Sequence, residues 1–354
     1  MKFSLDKVMS RIGMHILRCY NVMRSKSFVK LCVFSVLSVM SMGLAQDKLH
    51  VCSLAGYIPR PVVERFQQKT GIQVVCDAIE SVEALTVKLY AQAGQYDVVV
   101  MSLHPHILHS VSSGLLAPLH WASLSNRKNI DPFIMRQILR DRSVFAAPYL
   151  WGTTGIIYRN SAHTGPSVEG AWVFSQAYVR RGKVAWLDSA LDVFASAALY
   201  LGIDQRVWTR ETVLRVSRFL QTLRRFVDIV PADRLVERLI KNEIHVALLW
   251  SHDAGLVIDR TPAQTFRYGL PKVGACMWLD ALVIPKYARH PKWAHAFINF
   301  LLDPFSLRDV IVDIPGYSCV QPSYHHRSMP FPLSRQGLRS EPALSAELER
   351  LMLR

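Results

Sequence analysis

Beyond residue 47 the chain alternates short apolar runs with longer stretches in which apolar positions return every three or four places. Residues 48–54 and 72–78 read as strands, and the unbroken run 96–101 (YDVVVM) reads as a strand buried on both faces. Residues 59–70 and 82–92 between them carry helical spacing, and Gly71 stands where a helix closes in the left-handed conformation. Strand, helix, strand, helix, strand in this order predicts a parallel sheet covered by helices. A second set begins near Gly155, with a strand at 182–187 (GKVAWL), helices at 190–201 and 211–226, a short helix at 233–241 and a buried strand at 244–250 (IHVALLW). Residues 280–284 form one more strand, and Trp293, Phe297, Phe300 and Leu301 mark the core-facing side of a helix at 291–302. The tail from Ser323 is rich in proline, serine and charge, with a last helix expected at 343–352.

The first 45 residues break that rhythm. The uncharged stretch 31–45 (LCVFSVLSVMSMGLA) follows Arg24, Lys26 and Lys30 and ends in the small-residue pattern Gly43-Leu44-Ala45. A basic region, an apolar region and a cleavage site in that order are the parts of a secretion signal. The apolar run is shorter than the roughly 20 residues of a membrane-spanning helix, so removal of residues 1–45 is expected rather than anchoring. Met23 opens a leader of ordinary length, and no Leu-x-x-Cys ending marks a lipid anchor. The expected product is a periplasmic chain, half apolar and long enough to divide into two lobes.

Charge and chemistry narrow the function. The whole chain carries +15, but the leader removes much of it, leaving +9. The remaining basic residues are dispersed among apolar ones, as at 206–225, in the manner of a solvated helix face and not of a nucleic-acid groove. Cys52, Cys76, Cys276 and Cys319 remain, too far apart for metal spacing. Cys52 and Cys76 fall in neighbouring apolar strands, where buried free thiols are expected. No Gly-x-Ser-x-Gly elbow, phosphate loop or His-Glu-x-x-His motif is present, so no catalytic residue and no cofactor is assigned. His104, His106, His109, His325 and His326 lack the accompanying acids of a metal site. Binding is the better default than catalysis.

Four stretches then stand out: 49–74 (LHVCSLAGYIPRPVVERFQQKTGIQV), 96–102 (YDVVVMS) with Gly114-Leu115-Leu116, 148–159 (PYLWGTTGIIYR) and 278–304 (WLDALVIPKYARHPKWAHAFINFLLDP). Their order resembles the spermidine- and putrescine-binding proteins of bacterial ABC importers over most of residues 48–322. That resemblance implies an α/β fold of the two-lobed, type II-like periplasmic kind, each lobe a mixed, mainly parallel sheet flanked by helices. It implies lobes at 46–152 with 282–312 and at 153–281 with 313–354, joined by hinge crossings near 149–155, 278–282 and 313–317. Gly152 and Gly155 suit a segment that must bend. A monomeric receptor of this kind holds a small cationic ligand between its lobes and delivers it to permease subunits at the inner membrane.

The resemblance also implies a site. A buried ammonium needs carboxylates or aromatic faces, and methylenes need flat apolar walls. Trp250 and Trp278 at strand ends, with Tyr57 and Tyr317 in turns, match aromatic positions, and Asp280, two residues after Trp278, matches the acid that pairs with an amine. Asp192 matches a second acid in place of the usual Glu, and Ser102, Ser53 and Ser189 match polar positions. The chain also departs from the family. Its first loop reads Ser53-Leu54-Ala55-Gly56-Tyr57 where Asn-Trp-x-Glu-Tyr is common, Asp188-Ser189 replaces an acid pair, His104 replaces an aromatic, and the tail lacks the usual Gln-containing end. Fewer acids favour a doubly charged guest such as putrescine over a longer one. Thiamine, ferric iron or an organic anion on the same fold, and an exported enzyme or sensor, are the alternatives.

Overall fold

Strand β1 (Lys48–Leu54) pairs in parallel with β2 (Gln73–Ile79) on one side and β3 (Val98–Ser102) on the other, with α1 (Arg60–Thr70) and α2 (Val82–Ala91) as connections. The computed structural model describes residues 47–54, 56–79, 82–91, 94–140, 144–160, 172–180, 182–203, 208–313, 318–320 and 338–340. The fold is that of the unit Lys48–Arg354. The leader, Tyr317, His325, His326 and the helix expected at 343–352 lie outside the described residues.

Helix α1 buries Val62 and Phe66 and ends at Gly71, whose φ of 74° lets its N–H reach the Gln67 carbonyl at 2.8 Å. Two short segments follow, β4 (Leu116–Ala117) and α3 (Pro132–Arg140), before the chain enters the long strand β5 (Ala146–Arg159). Then come β6 (Val184–Leu187), α4 (Ala190–Tyr200), α5 (Arg210–Leu223), β7 (Asp228–Val230), α6 (Ala232–Ile240) and β8 (Val246–Trp250). The last major elements are α7 (Ser251–Asp259), β9 (Phe266–Gly269), β10 (Ala275–Pro285), α8 (Pro291–Leu301) and α9 (Pro304–Asp313). The strand order is β2-β1-β3-β10-β5-β8-β6-β7. The outer strands run parallel, and the two long strands β10 and β5 at the centre pair antiparallel with each other and with their neighbours β3 and β8.

One core gathers buried residues between Leu49 and Trp151 and between Met277 and Val320; it includes Phe66 of α1 edge-on to Phe297 of α8 at 4.9 Å. A second core gathers residues between Ile156 and Cys276, and Trp250 packs against both. The chain passes from one core to the other within β5 and returns within β10.

The strand expected at 280–284 begins five residues earlier, and the 148–159 stretch, expected as a crossing, is strand along its whole length. Both strands are buried end to end apart from Arg159, so neither shows the alternation that marks a half-exposed strand. Gly152 and Gly155 allow close packing there. Neither has a positive φ, and a Cβ on Gly152 would fall 2.0 Å from the Trp278 ring, one on Gly155 2.5 Å from the Tyr268 ring. Cys52 and Cys276 are buried free thiols, but Cys76 is exposed, because β2 ends the strand order and has a neighbour on one side only.

Candidate ligand-binding site

Two aspartates are buried near the ends of β3 and β6, one within β10 opposite the last residue of β3 and the other in the helix that follows β6. Asp280, on β10, lies opposite Ser102 of β3 and Leu150 of β5. Its Oδ1 accepts from Ser102 Oγ at 2.6 Å and its Oδ2 from the Tyr57 hydroxyl at 2.8 Å. Tyr57 follows β1 in a turn, and the Tyr149 hydroxyl holds that turn by donating to the Tyr57 carbonyl at 2.9 Å. Burial pushes the Asp280 carboxyl above its ordinary range, and the two hydroxyls pull it part of the way back.

Asp192 stands in the first turn of α4, where the helix N-terminus favours negative charge. Ser189 caps that helix; its hydroxyl donates to Asp192 Oδ2 at 2.6 Å and accepts from the Asp192 N–H at 3.4 Å. The Trp250 indole N–H donates to the same carboxylate at 3.1 Å, and the Thr154 hydroxyl of β5 donates to its other oxygen. Burial raises this carboxyl too, against the pull of those three donors. Among the described residues neither aspartate has a Lys, Arg or His partner; all its hydrogen-bond donors are neutral. A buried carboxylate without a cation is costly, so each is a place where a cation is worth most.

Register relates the two acids. Asp280 sits beside Leu150, and Thr154, four residues further along β5, holds Asp192. Four residues of strand span about 13 Å. Trp278 lies two residues before Asp280, inside β10 and not at a strand end as expected, and its ring and the Ser251 hydroxyl both lie against Gly152. Trp250 ends β8 at the start of α7, and His252 comes between the two indoles. The imidazole stacks on Trp250 at 5.8 Å and 15° and meets Trp278 edge-on at 5.8 Å and 89°. His252 Nε2 is 3.2 Å from Asp253 Oδ2. Burial lowers His252 to about 3 and, with the Asp233 charge adding to it, raises Asp253 to about 7, so the contact is a neutral ring against a carboxyl and not an ion pair.

The structure thus brings together Asp280, Tyr57 and Ser102 in one cluster, Asp192, Ser189 and Trp250 in another, and places Trp278 beside His252. It does not bring Ser53 to either acid, since the Ser53 hydroxyl donates to the Leu54 carbonyl at 3.1 Å. Tyr317 lies outside the described residues. Sequence reasoning missed Thr154, Tyr149, His252 and Asp253. The signals were there in principle: a Thr-Thr pair inside an otherwise apolar strand, and a His-Asp pair opening a helix directly after a strand, where α/β sheets gather ligand groups. No group of three or more His, Cys, Asp or Glu among the described residues could hold a metal, and no helix among them is long and apolar enough to cross a membrane.

Paired buried acids with neutral donors and aromatic cover, set where the strands of an α/β sheet end, define a binding protein for a small solute. The chain belongs to the bacterial extracellular solute-binding protein family, whose profile matches residues 62–325. It is 28% identical over 326 residues to the putrescine-binding periplasmic protein SpuD of Pseudomonas aeruginosa, covering 87% of this chain and 86% of that one. It is 28% identical over 296 residues to the putrescine-binding periplasmic protein PotF of Escherichia coli, covering 79% of each. Its fold matches that of the spermidine/putrescine transporter substrate-binding protein PotD of Streptococcus pneumoniae with a TM-score of 0.75 at 22% identity, over 87% of this chain and 98% of that one.

Proposed function

We propose that this chain is the periplasmic receptor of an ABC importer, exported by its leader, and that its guest is a short diamine, with putrescine as the reference compound. The observation that carries this reading is the pair of buried carboxylates with neutral donors, one beside Leu150 and the other held by Thr154, two points about 13 Å apart along β5. Two ammonium groups joined by four methylenes are roughly 6 Å apart, and a contact of about 2.8 Å at each end brings the span to about 12 Å. A triamine is longer, roughly 11 Å between its end nitrogens, and the shorter diamine is the better match to that strand interval. The indoles of Trp250 and Trp278 give the methylenes flat walls and the ammonium groups the electron-rich faces they favour. The putrescine-binding relatives support the same guest.

The lobes assigned to 46–152 with 282–312 and to 153–281 with 313–354 close over the guest by bending near the crossings, and the closed receptor docks on permease subunits as a monomer. The binding step needs no nucleophile, metal or cofactor. A thermal-shift screen of residues 46–354 against putrescine, spermidine, thiamine, ferric iron and small organic anions tests the reading, since a specific guest raises the melting temperature by mass action. Putrescine is expected to give the largest shift. A shift with iron or an anion and none with any amine overturns the diamine assignment.

A further inference from the structure

The rings of the site form one continuous row. Trp250 donates its indole N–H to Asp192, His252 stacks on Trp250, and Trp278, two residues from Asp280 on β10, receives the edge of His252. The imidazole therefore touches both of the indoles that accompany the two acids. Its side chain is 21% exposed, so it is packed between the indoles without being sealed in. The position is rigid. His252 is the second residue of α7, whose first residue, Ser251, receives the Thr153 N–H on its hydroxyl at 3.3 Å and lies against Gly152.

We propose that His252 is a specificity-determining residue that limits the length of the cation held between Asp192 and Asp280. This rests on the diamine reading above and adds to it a residue that reading does not require. The imidazole takes up space against both indoles, the walls offered to the methylenes, that the additional methylenes and central nitrogen of a triamine would need. Replacing His252 with a small residue opens that volume between two indoles, an apolar space suited to methylenes. The ring acts by its shape: burial keeps it uncharged near neutral pH, so it does not repel the guest.

The test compares affinities for putrescine and spermidine by isothermal titration calorimetry in the wild type, His252→Ala and His252→Phe. The wild type is expected to favour putrescine at least tenfold. His252→Ala is expected to shrink that preference tenfold or to reverse it, and His252→Phe, which keeps a ring of similar size without its nitrogens, is expected to retain it. A merely structural role would weaken both guests alike and leave the ratio unmoved. A ratio in His252→Ala within threefold of the wild type overturns the proposal, as does a wild type that prefers spermidine. If the wild type binds neither amine, the diamine reading itself has failed and this inference goes with it, an outcome distinct from an unmoved ratio. Should His252→Ala not fold, His252→Asn removes most of the ring, keeps a polar group and gives the same comparison.

Discussion

Replacing Asp280 with Asn is the sharpest perturbation of the site, because it changes charge while keeping shape. In the protein Asp280 is 4% exposed and accepts hydrogen bonds from Ser102 at 2.6 Å and Tyr57 at 2.8 Å. Asn keeps one carbonyl oxygen for one of these hydroxyls, and the other hydroxyl can turn to accept from the new amide. Without guest, the substitution exchanges a buried charge for a neutral group, so stability is expected to stay within about 1 kcal/mol of the wild type or to rise. With guest, one ammonium loses its buried counter-charge. Removing one partner of such a pair costs about 3–5 kcal/mol. At about 1.4 kcal/mol per decade this is roughly a 150- to 4,000-fold loss in putrescine affinity. Calorimetric titration of wild type and Asp280→Asn reads the loss, and a denaturant melt without guest reads the stability. An affinity within fivefold of the wild type, with an unchanged melt, refutes the argument that Asp280 carries an ammonium.

Gly152→Ala places a Cβ 2.0 Å from Cζ2 of Trp278 and 2.6 Å from the Ser251 hydroxyl, so it is expected to destabilise by roughly 1–3 kcal/mol and to weaken putrescine binding by displacing the indole; an unchanged denaturation midpoint refutes the packing argument. Asp253 predicts how binding depends on pH. Burial and Asp233 hold its carboxyl up at about 7, the neutral His252 lies 3.2 Å away, and a nearby dication favours the ionised form, so binding releases a proton and strengthens as pH rises through 7, levelling off above it. Titrations at pH 6 and pH 8 are expected to differ by up to about tenfold, and Asp253→Asn is expected to flatten the difference. The same group acts oppositely on folding: its pKa is raised above the unfolded value of 3.8, so its contribution to stability falls as pH rises from about 4 to 7, against a rising contribution from His252, and the difference between melts of wild type and Asp253→Asn over that range isolates it.

Much of the fold was readable because its signals are local. Phe66 and Val62 repeat at helical spacing, Gly71 caps the same helix, and the Trp293–Leu301 stripe faces the core as its period demands. The aspartates and tryptophans of the site were found through the order of segments resembling a known family, not through any property of those residues in isolation. The two central strands were harder. A strand buried on both faces has no polar alternation, and nothing local to the glycines of β5 says that they let Trp278 and Tyr268 approach the backbone.

Periodicity, caps and composition by themselves determined that this chain is an α/β protein with parallel strand–helix units and none of the catalytic motifs sought. Tertiary structure alone decided which polar groups meet. Tyr57 and Asp280 are 223 positions apart, Thr154 reaches Asp192 across 38, and His252 stands between two indoles because β8 and β10 flank β5. Hydrophobic patterning acts over a few residues and fixes which face of an element is buried. A binding site depends on where distant elements come to rest, and that is set by how whole sheets and helices pack.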